Sequence, residues 1–360
     1  MPDIKNIGIT RQMLSQIAEI EVFKGAWAGL VRLRAERLNA LRKISTIESI
    51  GSSNRIEGNK LSDAEVEKLL SRIDKKSFES RDEEEVAGYA ELMNIIFDNY
   101  SLIPLSENYV KQLHQILLRF VSKDERHRGD YKKLQNSVAA YDADGKEIGI
   151  VFETATPFDT PRLMQELLDW TQRNLDDAFF HPLIVIGVFI VHFLAIHPFQ
   201  DGNGRLSRAL TTMLLLKSGY SYVPYSSIES IIESSKEGYY RALRQTQKNI
   251  WGGEADYEPW LSFFLTVLQK QKRHLESKIE VMSKDDVKLG KNARAILELF
   301  NDKREWGISE VAETLGLNIN TAAKTIKALV KDGYLTKHGM TKGAWYEKNI
   351  LSVNFPLWKR

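Results

Sequence analysis

Residues 197–208 read His-Pro-Phe-Gln-Asp-Gly-Asn-Gly-Arg-Leu-Ser-Arg. Gly202 and Gly204 can take backbone conformations that other residues resist, and a helix is expected to start directly after them. Its free N–H groups and the positive end of its dipole would face the turn, which makes an anion site. Arg205 and Arg208, three apart, share a face of the first helical turn. Two guanidinium forks placed there suit a di- or triphosphate. Asp201 offers a hard oxygen ligand for Mg²⁺ shared with those phosphates, and Asn203 can donate to a phosphate oxygen. His197 stands at the end of an apolar helix and is a candidate general base. Pro198 ends that helix, and Phe199 is expected to plug the core beneath the turn. Each part has an ordinary reading alone, as a helix cap, a turn or a solvated Arg pair. Their combination in one short string points to phosphate chemistry.

The elements around the motif read as mostly helical. Residues 11–50 carry apolar groups at helical spacing, among them Ile17, Ile20, Phe23, Trp27, Leu38 and Leu41. The stretch 49–62 is rich in Gly, Ser and Asn, and is expected to cap a helix or form an exposed turn. Ser62 and Glu65 fit a capping box that opens the next helix. The acids at 82–85 and Ser106 mark two further helix starts. Residues 134–157 hold the one convincing strand signal, a β-hairpin around the turn Asp142-Ala143-Asp144-Gly145. Helices are expected at 161–174, 183–197, 205–218, 233–249 and 257–282. The apolar stretch 182–199 is broken at His192, too early for the roughly 20 residues of a bilayer span. It reads as a helix buried inside the protein.

Composition narrows the chemistry. The 360 residues include no Cys, which excludes a disulfide scaffold, a Cys-ligated zinc or iron–sulfur site and a Cys nucleophile. Lys and Arg number 50 against 48 Asp and Glu, so no global charge field favours nucleic acid or membrane. No secretory leader is visible at the start, and a cytoplasmic location is the expectation.

The 197–208 string resembles the Fic family signature, His-x-Phe-x-Asp/Glu-Gly-Asn-Gly-Arg-x-x-Arg, at every defined position. Gly129-Asp130-Tyr131, the segment Pro161–Trp170 and the pair Tyr239-Tyr240 extend the resemblance over roughly residues 40–265. It implies a protein adenylyltransferase that moves AMP from ATP to a Ser, Thr or Tyr hydroxyl of a protein. The roles it implies are His197 as base, Asp201 as Mg²⁺ holder, and Gly202, Asn203, Gly204 and Arg205 as phosphate binders. Arg208 would take the γ-phosphate. Tyr239 and Tyr240 resemble an adenine-contacting pair, and Gln247 falls where related sequences can carry an Asn near the base. The hairpin resembles the family's flap, which holds the target segment by strand pairing. Ser53-Asn54-Arg55-Ile56-Glu57-Gly58 matches the family's inhibitory motif at Ser53, Glu57 and Gly58. Its Glu would pair with Arg208 and compete with the triphosphate. Removal of AMP, with Glu57 positioning a water, is the rival within this chemistry.

Residues 291–360 carry twelve Lys and Arg against seven Asp and Glu. The stretch from Ile308 to Gly339 resembles a winged helix-turn-helix, with Asn320, Thr321, Lys324 and Lys327 on its second helix and Ile326, Leu329 and Val330 facing the core. Such a helix can enter the major groove of DNA; a protein-interaction wing is the alternative. A DNA-binding regulator whose core senses nucleotide is therefore the rival from another class. The expected organisation is a mainly α protein: a helical region with the inhibitory segment at 1–100, a catalytic core at 101–282, a linker at 283–291 and a winged-helix-like domain at 292–360. Expected partners are ATP, a hydroxyl-bearing protein, and DNA through the last domain. No membrane is expected, and a homo-oligomer is allowed.

Overall fold

The computed structural model describes residues 7–30, 35–72, 77–141, 147–252, 255–288, 290–300, 303–331, 334–339 and 343–348. The chain divides into two compact units, Met1–His274 and Leu275–Arg360. The helices run α1 (Arg11–Leu30), α2 (Ala35–Ile56), α3 (Asp63–Leu70), α4 (Arg81–Asn99), α5 (Glu107–Leu117), α6 (Thr160–Asp176), α7 (Pro182–Ile196), α8 (Asn203–Lys217), α9 (Ile228–Ser234), α10 (Lys236–Gln247) and α11 (Glu258–Lys288). Three more, α12 (Lys291–Leu299), α13 (Ile308–Thr314) and α14 (Ile319–Lys331), lie in the second unit.

The first unit is built around α7. Every residue from Leu183 to Ile196 is buried, so the helix is apolar on all sides because all sides meet protein. It packs against α6, α8 and α10. Among the described residues no helix is long and apolar enough to cross a membrane. Strands β1 (Ser137–Tyr141) and β2 (Glu147–Glu153) form an antiparallel hairpin, with Ser137 opposite Glu153 and Val138 opposite Phe152. The expected turn at Asp142–Gly145 lies outside the described residues.

Several expectations change. The stretch 49–62 is neither a cap nor an exposed turn over its first half. α2 continues to Ile56, and Ser49, Ser52, Ser53 and Asn54 are buried. Small polar side chains let α2 lie close to α8 and α9; low apolar content hid a buried helix face. The Ser62–Glu65 capping box is present at the start of α3. The helix expected at 205–218 begins at Asn203, which places Gly204 inside its first turn. The pattern at 233–249 belongs to two helices, α9 and α10, that meet at Ser235. The stretch 283–291, expected as a linker, is helical as far as Lys288.

In the second unit β3 (Glu305–Gly307), β4 (Leu335–His338) and β5 (Trp345–Lys348) form an antiparallel sheet in the order β3-β5-β4. These strands carry no sequence signal of their own, being three or four residues long. Ile296, Trp306, Val311, Ile326 and Leu329 form the core, with Val330 partly buried against it.

Helices α4 and α5 approach closely at Gly88. A Cβ there would sit 2.1 Å from the Leu117 carbonyl oxygen, a backbone atom that cannot swing aside. Gly88→Ala should therefore destabilise the first unit by about 1–3 kcal/mol, the usual cost of overpacking. Urea unfolding followed by circular dichroism measures this; an unchanged midpoint would mean that the two helices can separate freely.

Candidate active site

The turn between α7 and α8 is shaped by its own backbone and by three buried side chains. His197 ends α7 with φ 51° and ψ 60°, a left-handed conformation rare outside glycine. Gly202 follows at φ 78° and, having no side chain, leaves the first N–H groups of α8 uncapped. Asn203 accepts from Phe199 N at 2.9 Å and donates to Phe199 O at 2.8 Å. Its side chain thus closes the turn, using one of its two amide hydrogens. Phe199 is fully buried beneath the turn, as expected, and stacks on His114 at 3.8 Å.

His114 had no sequence signal beyond a core-facing position of α5. Its Nδ1 accepts from Gly129 N at 2.9 Å, which puts the ring proton on Nε2, where it donates to Asp201 O at 3.0 Å. Burial lowers its pKa to about 4. A neutral ring therefore fixes the backbone of Asp201.

His197 is oriented in the same manner. Its Nδ1 lies 3.3 Å from Leu194 O, a pure acceptor, so Nδ1 carries the proton and Nε2 keeps its lone pair. Burial, aided by the nearby charge of Lys132, lowers the pKa to about 4. The ring is neutral at pH 7, as a base must be.

The carboxylate of Asp201 is 40% exposed. Oδ1 accepts from Gly202 N at 2.7 Å, and Oδ2 meets Arg205 at 3.3 Å and Arg81 at 3.2 Å. Burial pushes its pKa up, but Arg205, the Gly202 N–H and Arg81 outweigh this and hold it below the usual range. Arg205 is 2% exposed and also pairs with Glu85 at 3.1 Å. Arg81 and Glu85 belong to α4, whose acidic first turn reads in the sequence only as a helix start.

Arg208 is 4% exposed. It donates through Nε to Ser53 Oγ at 2.8 Å and through one terminal nitrogen to Ser53 O at 2.7 Å and Glu57 Oε1 at 2.9 Å. Burial opposes the charge, and the Glu57 carboxylate more than restores it, so the Arg208 pKa lies above its ordinary value. A Cβ on Gly204 would fall 2.0 Å from Glu57 Oε1. The carboxylate thus rests on the first turn of α8, at the anion site itself. Gly58 closes α2 behind it with φ 98°.

One cleft collects these groups. Glu57, His197, Asp201, Gly202, Asn203, Gly204, Arg205, Tyr239, Tyr240 and Gln247 line it, and its empty volume is about 780 Å³ including the open mouth. Phe152, Leu243 and Arg244 also line it and were not singled out from the sequence. Tyr239 is mostly core, edge-on to Trp260 at 5.8 Å. Gln247 is buried, its amide 3.4 Å from Val191 O.

Known proteins share this architecture. A sequence model of the Fic/DOC family matches residues 104–215. Those residues form a Fic-type domain. A model of the IclR helix-turn-helix domain matches 291–339, in accord with the winged-helix expectation. The chain is 28% identical over 239 residues to a protein named protein adenylyltransferase Fic from Drosophila willistoni, covering 65% of this chain and 42% of that protein. The same name is carried by a Drosophila grimshawi protein at 27% identity, covering 65% and 43%. The chain thus spans about two fifths of these relatives' length. A Fic family protein from Desulfovibrio desulfuricans shares the fold with TM-score 0.60 and 23% identity, covering 95% of this chain and 97% of that one. A Fic-domain-containing signaling protein from Bacteroides thetaiotaomicron aligns with TM-score 0.59 and 25% identity, over 73% and 97%.

Buried neutral histidines leave a pH signature. His114 and His197 are lowered to about 4 and His192 to about 3, chiefly by burial, from an ordinary 6.5. The unfolded chain takes up these protons near 6.5 while the native state refuses them. Their stabilising effect is therefore full above pH 6.5 and is lost as pH falls toward 4. The thermal midpoint should drop steadily across that window. A profile flat from 7 to 4.5 would show that the rings are not held neutral.

Proposed function

We propose that the Fic-type core is a protein adenylyltransferase. The observation that carries this reading is a neutral His197, its Nε2 free, on the same cleft as the uncapped start of α8. In the proposed reaction a Ser, Thr or Tyr hydroxyl of a target protein gives its proton to His197 Nε2. The oxygen attacks the α-phosphorus of ATP in line, the bond to the β-phosphate oxygen breaks, and pyrophosphate leaves. Arg205 and the first N–H groups of α8 stabilise the developing charge. Phe152, Tyr240, Leu243 and Gln247 make the apolar and amide walls suited to a base. The hairpin offers an edge on which the target segment can add as a strand.

Asp201 is the residue that would hold Mg²⁺. Among the described residues no cluster of three or more acidic, His or Cys side chains could hold a metal alone. A single exposed carboxylate fits an ion that draws most of its oxygens from nucleotide phosphates and water. Bound there, the ion would neutralise phosphate charge.

Glu57 is proposed as a brake. Its carboxylate holds Arg208 and lies over Gly204, where the γ-phosphate would need both. ATP would then enter with its α-phosphorus misaligned, and transfer is mostly positioning. Glu57→Gly should raise AMP labelling by radiolabelled ATP well above wild type. Adding Arg208→Ala should remove most of the gain. His197→Ala in the released background should lose at least ~10²-fold, the lower range of positioned acid–base catalysis, while calorimetry still detects ATP. If Glu57 instead orients a hydrolytic water, Glu57→Gly would slow AMP release from a pre-modified target. If Glu57→Gly neither raises labelling nor slows AMP release, Glu57 is not a brake.

The second unit supports a DNA-contact reading beside this one. Asn320, Thr321, Lys324 and Lys327 are exposed on α14, while Ile326 and Leu329 are buried beneath them. If this face meets DNA, affinity should fall steeply with salt in a gel-shift titration. No shift at low salt would leave a protein-interaction wing.

A further inference from the structure

Lys132 is a buried amine for which the proposed chemistry has no direct use. It is 3% exposed, in the segment that leads into β1. An ammonium has three N–H donors, and each here finds a neutral acceptor: Asn136 Oδ1 at 2.8 Å, Thr154 Oγ1 at 2.8 Å and Ile196 O at 3.0 Å. The Lys132 backbone N–H donates to Pro198 O at 2.8 Å. Lys132 therefore grips the chain on both sides of His197, one residue before and one after.

The other acceptors belong to the hairpin. Asn136 directly precedes β1 and Thr154 directly follows β2. Thr154 Oγ1 lies 2.7 Å from Asn136 O, and Asn136 Nδ2 donates to Phe199 O at 2.9 Å. Ala155 N donates to Ala195 O at 3.3 Å. Both feet of the hairpin are thus fastened to the end of α7 and the turn after it, with Lys132 at the junction.

We propose that Lys132 is a positioning residue that couples His197 to the hairpin, holding the ring and the feet of the two strands in one register. The inference rests on the adenylyltransferase reading for its consequence, though not for its geometry. A target hydroxyl lying along the hairpin edge must arrive at His197 Nε2, and a single buried amine sets the distance between the two. Near-attack geometry is sensitive to displacements of about 1 Å. A cation is also suited to this place: the Ile196 carbonyl is at the C-terminal, negative end of α7.

The charge has a second consequence. No carboxylate pairs with the Lys132 ammonium among the described residues, and burial lowers its pKa to about 8. Lys132 is therefore still mostly charged at pH 7. The charged groups that act on His197 are Lys132, which opposes its protonation, and Glu57 and Asp201, which favour it. Lys132 thereby helps keep the ring neutral.

The test uses the full chain with ¹³C-labelled histidine, following the His197 ring by NMR from pH 7.5 to 4.5 and, separately, AMP labelling in the Glu57→Gly background. In Lys132→Met the His197 titration should move up by about a unit or more, the scale of removing a close like charge. The labelling kcat should fall about tenfold or more with KM for ATP unchanged, since the phosphate contacts remain. Lys132→Arg keeps the charge and should leave the titration low. Asn136→Ala cuts the hairpin side alone; it should lower kcat several-fold and leave the titration in place, and it serves should the Met variant not fold. An unmoved His197 titration in a folded Met variant, or an unchanged kcat in Asn136→Ala, would overturn the coupling. A moved titration in a protein that never labels any target would sink the transferase reading and leave the coupling standing.

Discussion

A guanidinium removed from water needs an anion or a ring of acceptors beside it, because desolvating a charge costs several kcal/mol. Arg208 meets that demand with the Glu57 carboxylate, the Ser53 hydroxyl and the Ser53 carbonyl. Much of the first unit is arranged around this. α2 has to run past the start of α8, its buried face beside Arg208 carries Ser52, Ser53 and Asn54, and Gly204 has to lack a side chain. The pair is also lopsided: the Arg208 side chain is 4% exposed and that of Glu57 35%. The cation is fixed and the anion stands at the solvent side. A triphosphate reaching the cleft from water would meet the exchangeable partner first. That is the physical content of the proposed brake.

Around that pair, neutral groups set the shape of the turn and charged groups set its potential. His114, Asn203 and Phe199 determine where the backbone goes, and His114 does so without a charge because burial denies it one. Arg205 and Arg81 balance the carboxylates of Asp201 and Glu85 between them. This division matters for the proposed chemistry. A turn held by neutral hydrogen bonds keeps its form when a highly charged nucleotide arrives, while the ion pairs can rearrange to receive it.

α2 itself is held along its length. Arg55 pairs with Glu233 of α9 and with Asp63, and Ser49 donates to the buried Glu229 at 2.7 Å. Arg55 lies in the last turn of α2, so with those anchors displacement of Glu57 is cheapest as a movement of its own side chain. Withdrawal of the whole helix would break the pairs and expose the buried Ser face.

The twelve-residue motif was legible because its chemistry is local: glycines, a helix start and two Arg three apart occupy one turn whatever surrounds them. The same holds for the buried nature of α7, the capping box of α3 and the apolar face of α14. Ser53, Glu57 and Gly58 were legible only as a short pattern whose meaning depended on the motif. What the sequence could not show is which distant groups meet that turn. His114, Lys132 and Arg81 carry no signal in the sequence that sets them apart. Each acquires its role from neighbours 60 to 120 residues away. Asn203 shows the limit from the other side: its type suggests a phosphate donor, and only the folded turn reveals that its side chain also closes that turn. Local spacing settles which groups share a turn or a helix face. Desolvation, and the partners it makes obligatory, is decided only when the helices pack.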